Sequence, residues 1–224
     1  MGVPFQTADG LIDLTALSPR DVSAWRVADA LAKINRFSGR TPEPWSVAAH
    51  SVLVARLVDA PEQKAWALLH DAHEAILGDM TSPAVAFIAE HGLPYAGATV
   101  RECIDRAKAR VDRVIGAAWA VAPRPRAAEI VQADRIALQA EMAIFFGASP
   151  VLEHPDDAER IERALAIIDE LPVGQNWRVA REVWLGHARS FAREGLLRLP
   201  AEDHPRDCHG AARLTRKEND RWAL

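Results

Sequence analysis

The residues of this sequence that are best able to do chemistry are histidines and carboxylates within an apolar segment. Residues 64–77, KAWALLHDAHEAIL, contain His70, Asp71, His73 and Glu74. On a helix, His70 and Glu74 are i, i+4 neighbours, and Asp71 and Glu74 are i, i+3 neighbours. Two carboxylates this close in a buried setting repel each other and lose hydration, which is costly without a cation. The pattern therefore favours a bound metal ion.

Two further predicted helices each carry one polar group on an apolar stripe. The groups are His50, beside Val47, Val54 and Leu57, and Asp134, beside Ile130, Val131 and Leu138. Taken singly, His50 could be a hydrogen-bonded core residue and Asp134 an ion-pair partner of an arginine. One shared site explains both with fewer assumptions. We predict one divalent metal ion (Co, Mn, Zn, Fe or Mg) held by His50, His70, Asp71 and Asp134.

The elements that must position these groups are predicted to be helices. Alanine is abundant, and β-branched residues rarely run together. Caps and prolines predict helices over residues 18–37, 46–59, 61–78, 82–91 and 99–120, one that ends at 146–147, and two at 156–170 and 177–195. Residues 11–14 could form an extended segment at most. The fold class is therefore predicted to be all-α, a single-domain helical bundle.

Composition excludes several classes of protein. The 224 residues suit one sizeable domain with a short appendage, and the net charge of -4 argues against a nucleic-acid scaffold. Cys103 and Cys208 are predicted to be free thiols in a reducing compartment. The sequence shows neither a secretory signal nor an apolar stretch of the ~20 residues that span a bilayer. We expect a cytoplasmic protein with no membrane or nucleic-acid partner.

A His, a His-Asp pair and a distant Asp, all on predicted helices, resemble the HD-domain phosphohydrolase superfamily. The stretches INRFSGRTPEPWSVAAHSVLVARLV, ALLHDAHEAILGDMTSP and QADRIAL are similar to the branch of bacterial 5'-deoxynucleotidases and phage dATP triphosphohydrolases. DLTALSPRDVSAWRVADAL resembles the lead-in of the phage members, so the likeness covers residues 11–147. It implies an HD-type domain over residues 1–199, a homo-oligomer, and the metal-ligand set given above. Residues 200–224 are predicted to be a polar, mobile tail.

The resemblance also implies roles for three residues outside the metal set. Glu74 matches the family's acidic residue that works with the nucleophilic water. Asp79 matches a residue proposed to protonate the leaving oxygen, and Arg36 matches an arginine that contacts substrate phosphate. Asp79 has an alternative role as a cap for the helix after Thr81.

Three residues stand apart from the family pattern. Phe37 stands where the deoxynucleotidases carry Trp, a sugar or base contact. Trp45 could stack on a base or pack against the start of the His50 helix. His73 stands where a small residue is usual. It is either a surplus imidazole near the metal or a helix-surface residue, and we favour the second.

The implied activity is divalent-metal-dependent hydrolysis of deoxynucleotide phosphoesters (EC 3.1 class) through a metal-activated water. Whether the substrate is a mono- or a triphosphate stays open, because the phage-like lead-in favours the triphosphate whereas Glu74 with Asp79 is the nucleotidase pair. Arg40 and Arg56 are candidates for binding a triphosphate. The alternative function is a non-catalytic metal- and nucleotide-binding regulatory module, against which the intact Glu74 and Asp79 argue. Nucleic-acid binding by residues 213–221 is disfavoured, because that run mixes charge signs and lacks aromatic residues.

Overall fold

The computed structural model describes residues 2–7, 10–91, 97–172 and 176–200, with the backbone alone for 97–99. Within these ranges the chain is almost entirely helical, and one small hairpin is its only sheet. The all-α prediction is therefore confirmed. No helix of the described ranges is long and apolar enough to cross a membrane. The predicted tail, apart from Pro200, lies outside the described residues.

The hairpin at the start of the chain is followed by a series of helices. Strand β1 (Pro4–Thr7) pairs antiparallel with β2 (Gly10–Asp13), with Phe5 opposite Ile12. The sequence predicted an extended segment only near β2, because a strand this short is recognisable mainly by its pairing. The helices are α1 (Ala24–Lys33), α2 (Val47–Leu57), α3 (Pro61–Leu69), α4 (Glu74–Leu77), α5 (Ser82–Glu90), α6 (Gly97–Trp119), α7 (Ala128–Phe146), α8 (Asp157–Glu170) and α9 (Trp177–Arg193).

The predicted helix over residues 18–37 is divided into three pieces. A capping box between Ser18 and Asp21 closes a short 3₁₀ turn at Pro19–Val22, and the Ser23 side chain then caps α1. A second 3₁₀ turn, Arg36–Gly39, follows α1. It contains Phe37 in the left-handed region, with φ 55°. The capping signals were therefore correct, but they belong to shorter elements than one long helix.

The predicted helix over residues 61–78 is also interrupted, and the interruption holds the candidate site. Helix α3 ends at Leu69, and α4 begins only at Glu74. Between them Ala72 N donates to Leu69 O at 2.9 Å and Glu74 N to Asp71 O at 2.9 Å. These are i to i−3 bonds, the pattern of a 3₁₀ turn. The prediction of one continuous helix through the His-Asp pair is therefore wrong.

Helix α2 lies at the centre of the molecule. Each of its residues except Arg56 is buried, and the helix packs against α1, α3, α7, α8 and α9. Three tryptophans, Trp66, Trp119 and Trp184, are fully buried. A helix enclosed on all sides has few alternative positions, because core packing is close to that of an organic crystal. Helix α2 therefore holds the backbone of His50 in a fixed position.

Candidate metal centre

His50 is held in one orientation by a buried carboxylate. The His50 side chain is fully buried, and its Nδ1 lies 2.7 Å from Glu141 Oε1. Burial alone would raise the pKa of Glu141, but His50 and Arg36 outweigh it and lower that pKa, so the group is a carboxylate. Because a carboxylate only accepts, Nδ1 carries the hydrogen. The lone pair of the neutral ring is therefore on Nε2.

His70 is oriented in the same way by a backbone carbonyl. It follows the last residue of α3, and its Nδ1 lies 2.8 Å from the carbonyl oxygen of Ala67. A carbonyl also only accepts, so Nδ1 again carries the hydrogen and Nε2 the lone pair. Burial alone would lower the pKa of His70, but Asp71 and Asp134 raise it to about 9. Without a metal ion the ring therefore takes up a proton at neutral pH.

The two Nε2 atoms converge on the same pair of carboxylates. His50 Nε2 lies 3.0 Å from Asp134 Oδ1 and 3.7 Å from Asp71 Oδ2. His70 Nε2 lies 3.2 Å from Asp71 Oδ2 and 3.9 Å from Asp134 Oδ1. Neither Nε2 has a hydrogen-bond partner within the described residues. Two imidazole nitrogens and two carboxylates that converge in a buried site need a positive charge between them, supplied by protons in the metal-free protein and by a metal ion when one is bound.

This donor set fits a divalent metal ion. His50, His70 and Asp71 each place a ligand atom within 4.8 Å of the others, and Asp134 approaches both imidazoles. The structure thus brings together all four residues predicted to be metal ligands. Two nitrogen and two carboxylate donors do not by themselves select one metal.

Asp134 reaches the centre for a different reason from the one predicted. Its supposed stripe neighbours Val131 and Leu138 are 52% and 37% exposed, and its own side chain is 48% exposed. The buried stripe of α7 consists of Ile130, Ala133, Ile136, Ala137, Ala140 and Glu141. The assumption that Asp134 lies on the core stripe was therefore wrong. Asp134 lies at the edge of the core, on the side where solvent can reach the centre.

Glu74 and Asp79 are the carboxylates beside the four ligands. Glu74 is 7% exposed, and burial together with Asp71 and Asp79 raises its pKa to about 9. Burial also raises the pKa of Asp79, and Arg36 opposes this increase. The residue before Asp79 is Gly78, whose φ is 76°. Helix α5 begins at Ser82, and its N-cap residue Thr81 is without a side-chain capping hydrogen bond. The alternative role of Asp79 as a cap therefore has no support in the described residues.

Arg36 is held by Glu141, with one nitrogen turned to the centre. Its Nε and Nη2 each lie 3.0 Å from Glu141 Oε2, while Nη1 lies 4.0 Å from Asp71 Oδ2. Phe37 packs edge to face on Phe146, with ring centroids 5.2 Å apart. Two of the three predicted substrate contacts, Arg36 and Phe37, thus lie on the 3₁₀ turn beside the centre.

Trp45 is in the core and not on the wall of a site. Its side chain is 3% exposed, and its Nε1 donates to Glu141 Oε1 at 2.7 Å. Its ring packs on Phe145 with centroids 5.4 Å apart. The indole therefore offers no free face on which a base could stack. Its position agrees with the alternative, packing at the start of α2.

Sequence reasoning missed two carboxylates that orient imidazoles. One is Glu141, described above, and the other is Asp112 on α6, whose Oδ1 lies 3.1 Å from His73 Nδ1. Glu141 had a signal, because it continues the buried spacing of Ile130, Ala133 and Ala137. His73 is 5% exposed, so the interpretation of it as a helix-surface residue was wrong.

Comparison with known proteins identifies relatives but no activity. No family model matches the sequence. The chain is 35% identical over 169 residues to the uncharacterized protein RCAP_rcc00048 of Rhodobacter capsulatus, an alignment that covers 70% of this chain and 81% of that protein. The printed name of the relative states no function. The chain belongs to the same protein family as this Rhodobacter capsulatus protein.

Proposed function

We propose that the chain is a divalent-metal-dependent phosphohydrolase that acts on deoxynucleotide phosphoesters. The observation that carries the proposal is the convergence of two buried Nε2 atoms, of His50 and His70, on the carboxylates of Asp71 and Asp134. When bound there, a divalent ion would polarise a phosphoryl oxygen and lower the pKa of water. The resemblance of the motifs to HD-domain phosphohydrolases supports the same reaction class.

Glu74 is the proposed base for the attacking water. Its carboxylate is buried next to Asp71, and its Oε2 has no hydrogen-bond partner among the described residues. Its pKa of about 9 belongs to the centre without a cation. A neighbouring divalent charge lowers a carboxylate pKa. A base whose pKa falls toward neutrality is well matched to proton transfer at physiological pH.

Asp79 and Arg36 are the proposed partners for the leaving oxygen and the phosphate. Burial raises the pKa of Asp79, which is the direction that a proton donor to the leaving oxygen needs. Arg36 is fixed by Glu141, so its Nη1 is already oriented toward the centre. A guanidinium held in this way suits phosphate oxygens, because it need not be ordered when substrate binds.

Within this proposal, the position of Arg56 favours a monophosphate over a triphosphate. Arg56, one of the two cations considered for a triphosphate, forms an ion pair with Glu170 on α8 at 2.5 Å. It lines a separate cavity of about 420 Å³ with Arg163 and His187. Among the described arginines, Arg36 is the one with an ion pair to a predicted metal ligand, Asp71. The predicted cytoplasmic setting and homo-oligomer belong to this proposal as well.

Product analysis tests the proposal. The purified full chain, loaded with Mn²⁺ or Co²⁺, is incubated with each deoxynucleoside mono- and triphosphate, and the products are separated by chromatography. We expect orthophosphate from monophosphates, and no product with Asp71→Ala. Intact triphosphate released from a deoxynucleoside triphosphate would establish a triphosphohydrolase instead. No product from any substrate, with metal bound, would overturn the proposal and favour the non-catalytic binding module.

A further inference from the structure

His73 is built into the protein in the same way as the two imidazoles of the metal centre. Its Nδ1 lies 3.1 Å from Asp112 Oδ1, as the Nδ1 of His50 faces Glu141 and that of His70 faces Ala67. Its Nε2 is buried and has no hydrogen-bond partner in the described part of the chain. Metal-binding histidines are typically held by an acceptor on the nitrogen that does not bind the metal. His73 therefore has the environment of a ligand.

The His73 ring lies next to two carboxylates. A ring nitrogen of His73, an oxygen of Asp71 and an oxygen of Glu74 all lie within 4.8 Å of one another. Glu74 is 7% exposed, and its Oε2, like His73 Nε2, is buried without a partner among the described residues. Asp71 and His73 lie on the turn between α3 and α4, and Glu74 is the first residue of α4. The three residues share only Asp71 with the first set of ligands.

We propose that Asp71, His73 and Glu74 form a second divalent-cation position, with Asp71 as the ligand common to both ions and Asp112 as the residue that holds the His73 ring. The inference rests on the proposed function, because it adds a second ion to the same centre. One nitrogen and two carboxylate donors suit Mn²⁺ and similar ions. Paired ions in phosphohydrolases lie about 3.5–4 Å apart and bind both the attacking and the leaving oxygen. The substrate phosphate would thus contact two cations.

A purely structural role for His73 is the competing explanation. The His73–Asp112 pair also joins the turn to α6, and that joint alone could account for its burial. It leaves His73 Nε2 and Glu74 Oε2 without partners, however, and folded proteins satisfy most buried polar atoms. A variant that keeps the joint but removes Nε2 separates the two explanations.

The substitution His73→Asn is that variant. The Asn amide can still donate to Asp112, whereas the second nitrogen is lost. The full chain is dialysed against Mn²⁺, bound Mn²⁺ is counted by elemental analysis, and spin coupling between ions is recorded by electron paramagnetic resonance. We expect two coupled ions per wild-type chain and one uncoupled ion in His73→Asn. His187→Asn is the matched control, because the His187 Nδ1 bonds to the Val183 carbonyl on α9, outside the centre.

Each outcome decides between the explanations. One Mn²⁺ in the wild type, or two in His73→Asn, would overturn the second position and leave the first intact. No Mn²⁺ in the wild type would contradict the proposed function as well. If His73→Asn does not fold, Asp112→Asn takes its place. In Asp112→Asn we expect the second ion to bind about 10- to 100-fold more weakly than in the wild type, while the affinity for the first ion is unchanged. If Asp112→Asn bound the second ion as tightly as the wild type does, the inference would be contradicted.

Discussion

At the level of single residues, the Glu141 carboxylate accepts hydrogen bonds from three side chains around the centre. Trp45 and His50 each approach its Oε1 at 2.7 Å, and Arg36 approaches its Oε2 at 3.0 Å. The Glu141 side chain is fully buried. It joins α7 to the chain segment before and within α2, and it fixes the tautomer of His50.

We therefore expect Glu141→Gln to weaken Mn²⁺ binding about 10- to 100-fold, the usual effect of changing the residue behind a metal-bound histidine. Isothermal titration calorimetry measures the affinity. Glu129→Gln is the control, because Glu129 is on the same helix but accepts from the backbone of Asp59 and Ala60. Wild-type affinity in Glu141→Gln would show that the carboxylate does not orient a ligand.

The pKa of His70 predicts how metal affinity depends on pH. In the metal-free protein this pKa is about 9, so the ring holds a proton at pH 7 that a metal ion must displace. Proton competition falls as pH rises, so affinity should increase about tenfold per pH unit up to about pH 9. Mn²⁺ titrations between pH 6 and 9 measure the slope. Affinity that is constant over this range would contradict the placement of His70 as a ligand.

Glu74→Ala separates catalysis from binding of the first ion. The ion held by His50, His70, Asp71 and Asp134 should remain, while hydrolysis slows at least ~100-fold, because the variant lacks the proposed base, which is also a ligand of the proposed second ion. Glu62→Ala, an exposed acid in the first turn of α3, should leave the rate unchanged. Turnover near the wild-type rate in Glu74→Ala would exclude Glu74 from the mechanism.

At the level of elements, local signals predicted most helices. Ser46 caps α2 as expected, its side chain accepting from Ala49 N. Helices α8 and α9 begin within a residue of their predicted starts. Caps and apolar spacing are local properties of the sequence, and for this reason they were visible without a structure.

The features that were not predicted depend on contacts between distant segments. The break after Leu69 lies in a stretch whose apolar residues would cover nearly every side of a helix, so apolar spacing could not reveal it. The role of Asp112 depends on the packing of α6 against His73. The convergence of the four predicted metal ligands could be anticipated because their combination is unusual within apolar segments, whereas the residues that orient them resemble ordinary charged residues in sequence.

Two glycines within helices give a matched test of packing. A Cβ at Gly116 in α6 would lie 2.7 Å from Val121 O and 2.8 Å from Pro123 Cδ, whereas a Cβ at Gly186 in α9 would meet nothing within 4 Å. Gly116→Ala should therefore destabilise the fold by about 1–3 kcal/mol. Gly186→Ala should stabilise it by about 0.5–1 kcal/mol, because alanine favours helix. Urea unfolding measures both. A loss of stability in Gly186→Ala, or none in Gly116→Ala, would contradict these contacts.

At the scale of the whole molecule, the candidate ligands connect elements that are distant in sequence. His50 is on α2, His70 and Asp71 are on the turn after α3, and Asp134 is on α7. An ion bound to all four therefore links three parts of the bundle. Binding of this ion should therefore increase the free energy of unfolding of the entire fold.

We expect a chelator to lower the thermal midpoint and Mn²⁺ to raise it. A ligand at 100 times its Kd stabilises the folded state by about 2.7 kcal/mol. Differential scanning calorimetry in Mn²⁺ and in chelator measures the difference. Asp71→Ala should abolish it, since this variant lacks a ligand of the ion. An equal Mn²⁺ effect in Asp71→Ala would place the stabilising ion elsewhere.

The most direct test of the central claim is anomalous X-ray scattering at the manganese edge, from crystals of the full chain grown with Mn²⁺. The account predicts a strong peak bonded to His50 Nε2, His70 Nε2 and the carboxylates of Asp71 and Asp134. No peak at this position in Mn²⁺-saturated protein, or a peak bonded to other residues alone, would contradict it.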